Sequence, residues 1–141
     1  MFETTQACVD VGIVVKDIEK SLAFYQGVLG MKEVTVVDLP ADFARAAGFA
    51  TDGFKLHFLK FGDMMVKLLE FAEPPAPRDP AANAQTGFRY LTFWVKNMDD
   101  AVTYLKSKGV TFKAEPIERA PGRKVVFFGD PDGNLLELLG P

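Results

Sequence analysis

Two stretches of the chain, 10–17 and 90–97, carry the same hydrophobic pattern. Each is a short run rich in β-branched, aliphatic or aromatic residues that closes on Val-Lys and then an Asx residue, Asp17 or Asn97. Runs of this kind predict strands. After each Asx the period changes from two to about 3.6. Ile18, Leu22, Tyr25 and Leu29 fall on one helical face in the first case, and Met98, Val102 and Leu105 in the second. Asp17 and Asn97 stand where an N-cap acceptor is wanted. Gly30 and Gly109 stand where a left-handed residue ends a helix at no steric cost. Strand, cap, helix and glycine stop therefore occur twice in the same order, at an offset of about 80 residues.

The strands that follow also come in matching sets. Phe61-Gly62-Asp63 resembles Phe128-Gly129-Asp130, and Leu68-Leu69-Glu70 resembles Leu135-Leu136-Glu137, both at an offset of 67. The smaller offset places 13 fewer residues between helix and last strand in the second half. The surplus in the first half falls around 38–53, which reads as a loop with a short helical turn. The expected elements are about 9–16, 18–29, 32–38, 54–61 and 64–71, then 88–96, 98–108, 110–114, 123–128 and 134–139. Gly62-Asp63 and Asp132-Gly133 are hairpin signals. Pro74, Pro75, Pro77 and Pro80 mark a linker over 72–87. The fold class expected is α+β: two βαβββ modules, at 9–71 and 88–139, within one domain of 141 residues.

Composition narrows the partners. Net charge is −3 and the 16 basic residues are scattered singly, which argues against nucleic acid. No apolar run approaches the roughly 20 residues of a membrane span, and no charged-then-apolar leader opens the chain. One cysteine, Cys8, cannot make an internal disulfide, which fits a cytoplasmic location. It lies just before an apolar strand and is read as buried packing. The 13 phenylalanines suit a dense core or an apolar pocket. Phe43, Phe49, Phe88, Trp94 and Phe112 are candidates for a pocket lining, with core packing the default.

The segments VGIVVKDIEKSLAFYQGVLGM and GDPDGNLLELLGP, within a doubled βαβββ pattern, resemble the vicinal-oxygen-chelate superfamily. That superfamily includes glyoxalase I, methylmalonyl-CoA epimerase, extradiol dioxygenases and the bleomycin and fosfomycin resistance proteins. The resemblance implies curled mixed sheets that form a cup, a small-molecule ligand, a homodimer, and a divalent metal held by first-strand and fourth-strand residues. Carried onto this chain, those positions are Asp10, Glu70, Tyr90 and Glu137. Histidine is usual at the first-strand places, here Asp10 and Tyr90. Such a set is oxygen-only and would suit magnesium, manganese or calcium better than zinc or iron.

Glu70 and Glu137 alternate with leucines, and a carboxylate on an apolar face needs a partner or a task. They are the candidate catalytic residues. The other reading places them at strand ends, wet or paired with Arg89 or Arg123. His57, the single histidine, is a candidate acid or base facing the cup, or a hydrogen-bonded structural residue. Three functions stay open: a metal-assisted lyase or isomerase acting beside a carbonyl, a metal-free sequestering protein, and an extradiol dioxygenase. The last needs two histidines on iron.

Overall fold

The computed structural model describes residues 1–73, 76 and 86–141. The chain divides into two compact units, Met1–Pro77 and Arg78–Pro141, and each repeats strand, helix and three strands. The linker prolines Pro74, Pro75, Pro77 and Pro80 lie outside the described residues. Among the described residues, no helix is long and apolar enough to cross a membrane.

In module one, β1 (Val11–Val15) leads into α1 (Ile18–Leu22), which continues as a π-helical turn over Ala23–Val28. The Asp17 carboxylate accepts from the Lys20 amide at 3.1 Å, so the expected cap is made. Gly30 follows the helical segment at φ 75°. β2 (Lys32–Leu39), α2 (Ala41–Ala46), β3 (Phe54–Phe61) and β4 (Met64–Phe71) complete the module. The sheet order is β1-β4-β3-β2, with β1 parallel to β4 and the other pairs antiparallel. Alternation then sorts the side chains onto two faces. One face carries Val15, Leu59, Val66 and Leu68, all buried, and β4 packs with α1. The other carries Gly12, Phe54, Leu56, Phe58, Lys67, Leu69 and Phe71. At one end of it Phe54 and Leu69 pack with Ala44 of α2, and Leu56 and Phe71 join them.

Module two has β5 (Tyr90–Trp94), α3 (Met98–Ser107), β6 (Ile117–Ala120), β7 (Arg123–Gly129) and β8 (Leu135–Gly140). Its order, β5-β8-β7-β6, repeats that of module one. The Asn97 side chain caps α3 by accepting from the Asp100 amide at 3.0 Å. Met98, Val102 and Leu105 of α3 are buried, as are Val126, Phe128, Leu136 and Leu138 on one face of the sheet. The opposite face presents Tyr90, Thr92 and Trp94.

Three expectations change. The strand expected at 110–114 makes only an isolated bridge, Phe112 to Phe128, and the edge strand is Ile117–Ala120. Pro116 lies between the two pieces and has no amide to give the ladder. Cys8 is half-buried rather than buried, and its thiol donates to the Asp63 carbonyl. The 67-residue offset does not survive strand pairing. With β1 matched to β5 at 80 residues, Gly12 corresponds to Thr92. Gly12 pairs with Lys67 and Thr92 pairs with Glu137. Lys67, three residues before Glu70, is thus the counterpart of Glu137. The surplus sits between β2 and β3 as α2, where module two has only the Pro121-Gly122 turn.

Candidate functional site

Among the described residues, Glu137 is the carboxylate that the strands place on the face of module two opposite α3. Glu137 lies on β8 between Thr92 of β5 and Phe127 of β7. It is 7% exposed. The Thr92 hydroxyl donates to its Oε2 at 2.6 Å, a short bond of the charge-assisted kind. Desolvating a carboxylate costs several kcal/mol if nothing compensates, and one hydroxyl compensates in part. Around this carboxylate stand aromatic rings. Tyr90 meets Phe127 edge to face at 5.7 Å between centroids, and Tyr90 is 51% exposed. Trp94, 68% exposed, lies under the Arg123 guanidinium at 5.6 Å. The Arg123 guanidinium thus lies over a ring, and among the described residues no ion pair joins it to a glutamate. The arrangement offers an organic molecule ring surfaces for contact and one desolvated base.

Module one places its candidates on two different faces. Asp10 precedes β1 and lies on the same side as Gly12 and Lys67. Its Oδ2 accepts from Lys67 Nζ at 3.0 Å, and the same ammonium sits 5.4 Å from the Phe58 ring centroid. Glu70 lies on the α1 side, with Leu68 and Val66. There it meets His57, whose Nε2 is 2.9 Å from Glu70 Oε2, while Nδ1 is 2.9 Å from Glu33 Oε2. Carboxylates accept only, so both ring nitrogens donate, which is the property of an imidazolium. Burial works against that charge, but the hydrogen bonds the ring donates to Glu70 and Glu33, and the negative charge of the two carboxylates, outweigh it and raise the His57 pKa. His57 is 8% exposed. The structure thus shows the hydrogen-bonded form of this histidine, held between two carboxylates on the face away from Asp10.

The positions marked as metal ligands by the resemblance were Asp10, Glu70, Tyr90 and Glu137. Within module one, Asp10 and Glu70 are on opposite sides of the sheet. The residue that does share a side with Asp10, at the last-strand position, is Lys67. An ammonium in a ligand position, already paired with the neighbouring carboxylate, does not fit a divalent ion. Among the described residues, no group of three or more His, Cys, Asp or Glu side chains is arranged to hold a metal. In module two, Tyr90 packs on Phe127 while Glu137 accepts from Thr92. An extradiol iron site would need histidines that these positions lack.

The remaining pocket candidates are aromatic. Phe49 is 57% exposed and packs on Phe54 at 5.2 Å. Phe43 and Phe88 are exposed, whereas Phe112 packs on Phe128. Sequence reasoning missed Thr92, Lys67 and Glu33. Thr92 was findable by alternation, two residues along the strand from Tyr90. Lys67 was hidden by the shorter Leu-Leu-Glu match, and Glu33 needed the β2–β3 register.

A profile of the Glyoxalase/Bleomycin resistance protein/Dioxygenase superfamily matches residues 8–138. The chain is 33% identical to YwkD of Bacillus subtilis over 130 residues, which cover 91% of each chain. It is 31% identical to human mitochondrial methylmalonyl-CoA epimerase over 137 residues, covering 91% of this chain and 70% of that one. The crystal structure of a glyoxalase family protein from Bacillus cereus superposes with a TM-score of 0.78 at 20% identity, covering 99% of this chain and 97% of that one.

Proposed function

The chain belongs to the Glyoxalase/Bleomycin resistance protein/Dioxygenase superfamily, and from that premise we propose that it binds a small carbonyl compound over the open face of module two. Glu137 then moves a proton at the carbon beside the carbonyl. The observation that carries this reading is the buried Glu137 carboxylate, held by one hydroxyl among exposed aromatic rings. The Thr92 bond fixes Oε2 and leaves Oε1 to take and return a proton. Tyr90 and Trp94 supply contact area, and the Arg123 charge beside Trp94 favours an anionic ligand. The relative named as a methylmalonyl-CoA epimerase makes an isomerase or lyase the reaction class we assign. A homodimer in the cytoplasm completes the proposal. It rests on the frequency of dimers in the superfamily and on the lone, half-buried cysteine.

A second reading, sequestration without chemistry, is favoured by one feature: the ligand-position pair of module one is spent on an internal ion pair. The two readings separate in one experiment. Trp94 is the single tryptophan, so its fluorescence reports ligand at the proposed site directly. Acyl-CoA thioesters and 2-oxoaldehydes are titrated, and exchange of the proton next to the carbonyl is followed by NMR in D2O. The proposal expects quenching together with exchange in the wild type, and quenching with at least a hundredfold slower exchange in Glu137→Gln. Binding with no exchange in the wild type assigns the sequestering function instead.

A further inference from the structure

The open face of module one contains a positive charge that is part of the chain. Lys67 stands on β4 opposite Gly12 of β1 and Phe58 of β3. Gly12 has no side chain to cover the ammonium, Phe58 offers it a ring face, and Asp10 holds it at 3.0 Å. Lys67 and Asp10 are each about a third exposed, so the pair is neither buried nor free in water. α2 fills the far end of the same face against Phe54 and Leu69. Beyond them the same face presents Lys67 and Asp10, each partly exposed.

The register shows what this ammonium replaces. Lys67 is the module-one counterpart of Glu137, and Asp10 is the counterpart of Tyr90. Module one therefore holds opposite charges at the two positions that correspond, by strand register, to the module-two ligand positions Tyr90 and Glu137. A dication entering there would have to break the Asp10 pair and then stand beside the lysine. A lysine ammonium has three N–H donors on a compact charge. Asp10 takes one of them, and the others remain for an oxygen that arrives from the open side.

We propose that Lys67, braced by Asp10, is a built-in cation that receives an anionic oxygen, a carboxylate or enolate, of a small molecule on this face of module one, where the superfamily resemblance would place a divalent metal. No bond is made or broken in this role. Asp10 is a positioning residue that keeps the flexible side chain over the sheet. The inference deepens the small-molecule reading but does not depend on Glu137 acting as a base.

The test uses the full chain and two probes, Mn2+ alone and oxalate, a dianion that resembles an enolate. Isothermal titration calorimetry in EDTA measures oxalate binding to the wild type, Lys67→Met and Lys67→Arg. Electron paramagnetic resonance measures Mn2+ binding to the wild type, Asp10→Asn and Lys67→Glu. The expected result is oxalate binding by the wild type, retained within a fewfold in Lys67→Arg and weakened at least tenfold in Lys67→Met. The wild type takes up no stoichiometric Mn2+, and Lys67→Glu, which creates a carboxylate pair with Asp10, gains it. Lys67→Arg keeps the test decisive if Lys67→Met fails to fold, since a charge-preserving variant that loses oxalate also refutes the role. Stoichiometric Mn2+ in the wild type that disappears in Asp10→Asn overturns the proposal, as does oxalate binding that is absent or indifferent to Lys67→Met. Neither readout involves proton exchange, so failure here is distinct from failure of Glu137 as a base.

Discussion

Replacing His57 with glutamine removes the charge that ties three strands of module one together, and the loss follows pH in a defined direction. His57 on β3 bridges Glu33 on β2 and Glu70 on β4 with two contacts of 2.9 Å. A buried hydrogen bond to a charged group contributes about 1.5–3 kcal/mol. Here the ring is 11% accessible, but the two carboxylates are 31% and 32% accessible, so solvent reduces each bond to about 1 kcal/mol. The pair then stabilises the module by about 2 kcal/mol. The His57 pKa is raised in the folded chain. The stabilisation is fully present below the unfolded histidine value, about 6.5, and is lost as pH rises through the folded value. For one proton the decline cannot be steeper than about 1.4 kcal/mol per pH unit. Lys55, which faces Glu70 and Asp38 across the strands, is common to both proteins and cancels in the comparison. Urea unfolding of wild type and His57→Gln from pH 5.5 to 9 is the assay. The variant is expected to be weaker by about 2 kcal/mol at the acid end, with the two curves converging as pH rises. A gap of constant size across the range, or wild-type stability that climbs above pH 6.5, refutes the reasoning.

Two further substitutions probe module two. Thr92→Val keeps the shape but removes the donor to Glu137 Oε2, and should lower the unfolding free energy by about 1–3 kcal/mol. Thermal unfolding with an unchanged midpoint would show that solvent or another group already satisfies the carboxylate. Gly140→Ala adds a Cβ that would collide with the Val95 carbonyl oxygen, which is backbone and cannot swing aside. A cost of about 1–3 kcal/mol is expected from the forced shift, read by urea denaturation, and a neutral result would mean that β5 and β8 separate more easily than their pairing implies.

Much of the fold was legible because local signals agreed with one another. Asp17, Asn97, Gly30 and Gly109 bracket the helical segments where the pattern placed them, since cap and stop residues act on their own neighbours. The strand at 110–114 was not legible: its alternation is real, but Pro116 breaks the edge and moves the ladder onward. The site was harder, because register is a long-range property. Leu-Leu-Glu occurs at both 68–70 and 135–137, yet a three-residue difference is odd, and an odd shift exchanges the two faces of a strand. Glu70 was therefore assigned to the side of Asp10 when it belongs to the side of His57, and Lys67 went unnoticed. Glu137 and Tyr90 needed only alternation, and the structure puts both on the open face of module two.

The α2 excursion makes the two halves unequal as material for further change. In module one a helix of six residues, Ala41–Ala46, already occupies the bend between the second and third strands and covers one end of the sheet. The corresponding bend in module two is the exposed turn at Pro121-Gly122, which joins β6 to β7 on the outer edge. New length added there interrupts no ladder and closes only a short loop, so its entropic cost grows slowly with size. An engineer or a lineage seeking selectivity for a bulkier or smaller ligand thus has a spare insertion point beside the open face of module two, and the first half shows what a grafted segment at that bend can become.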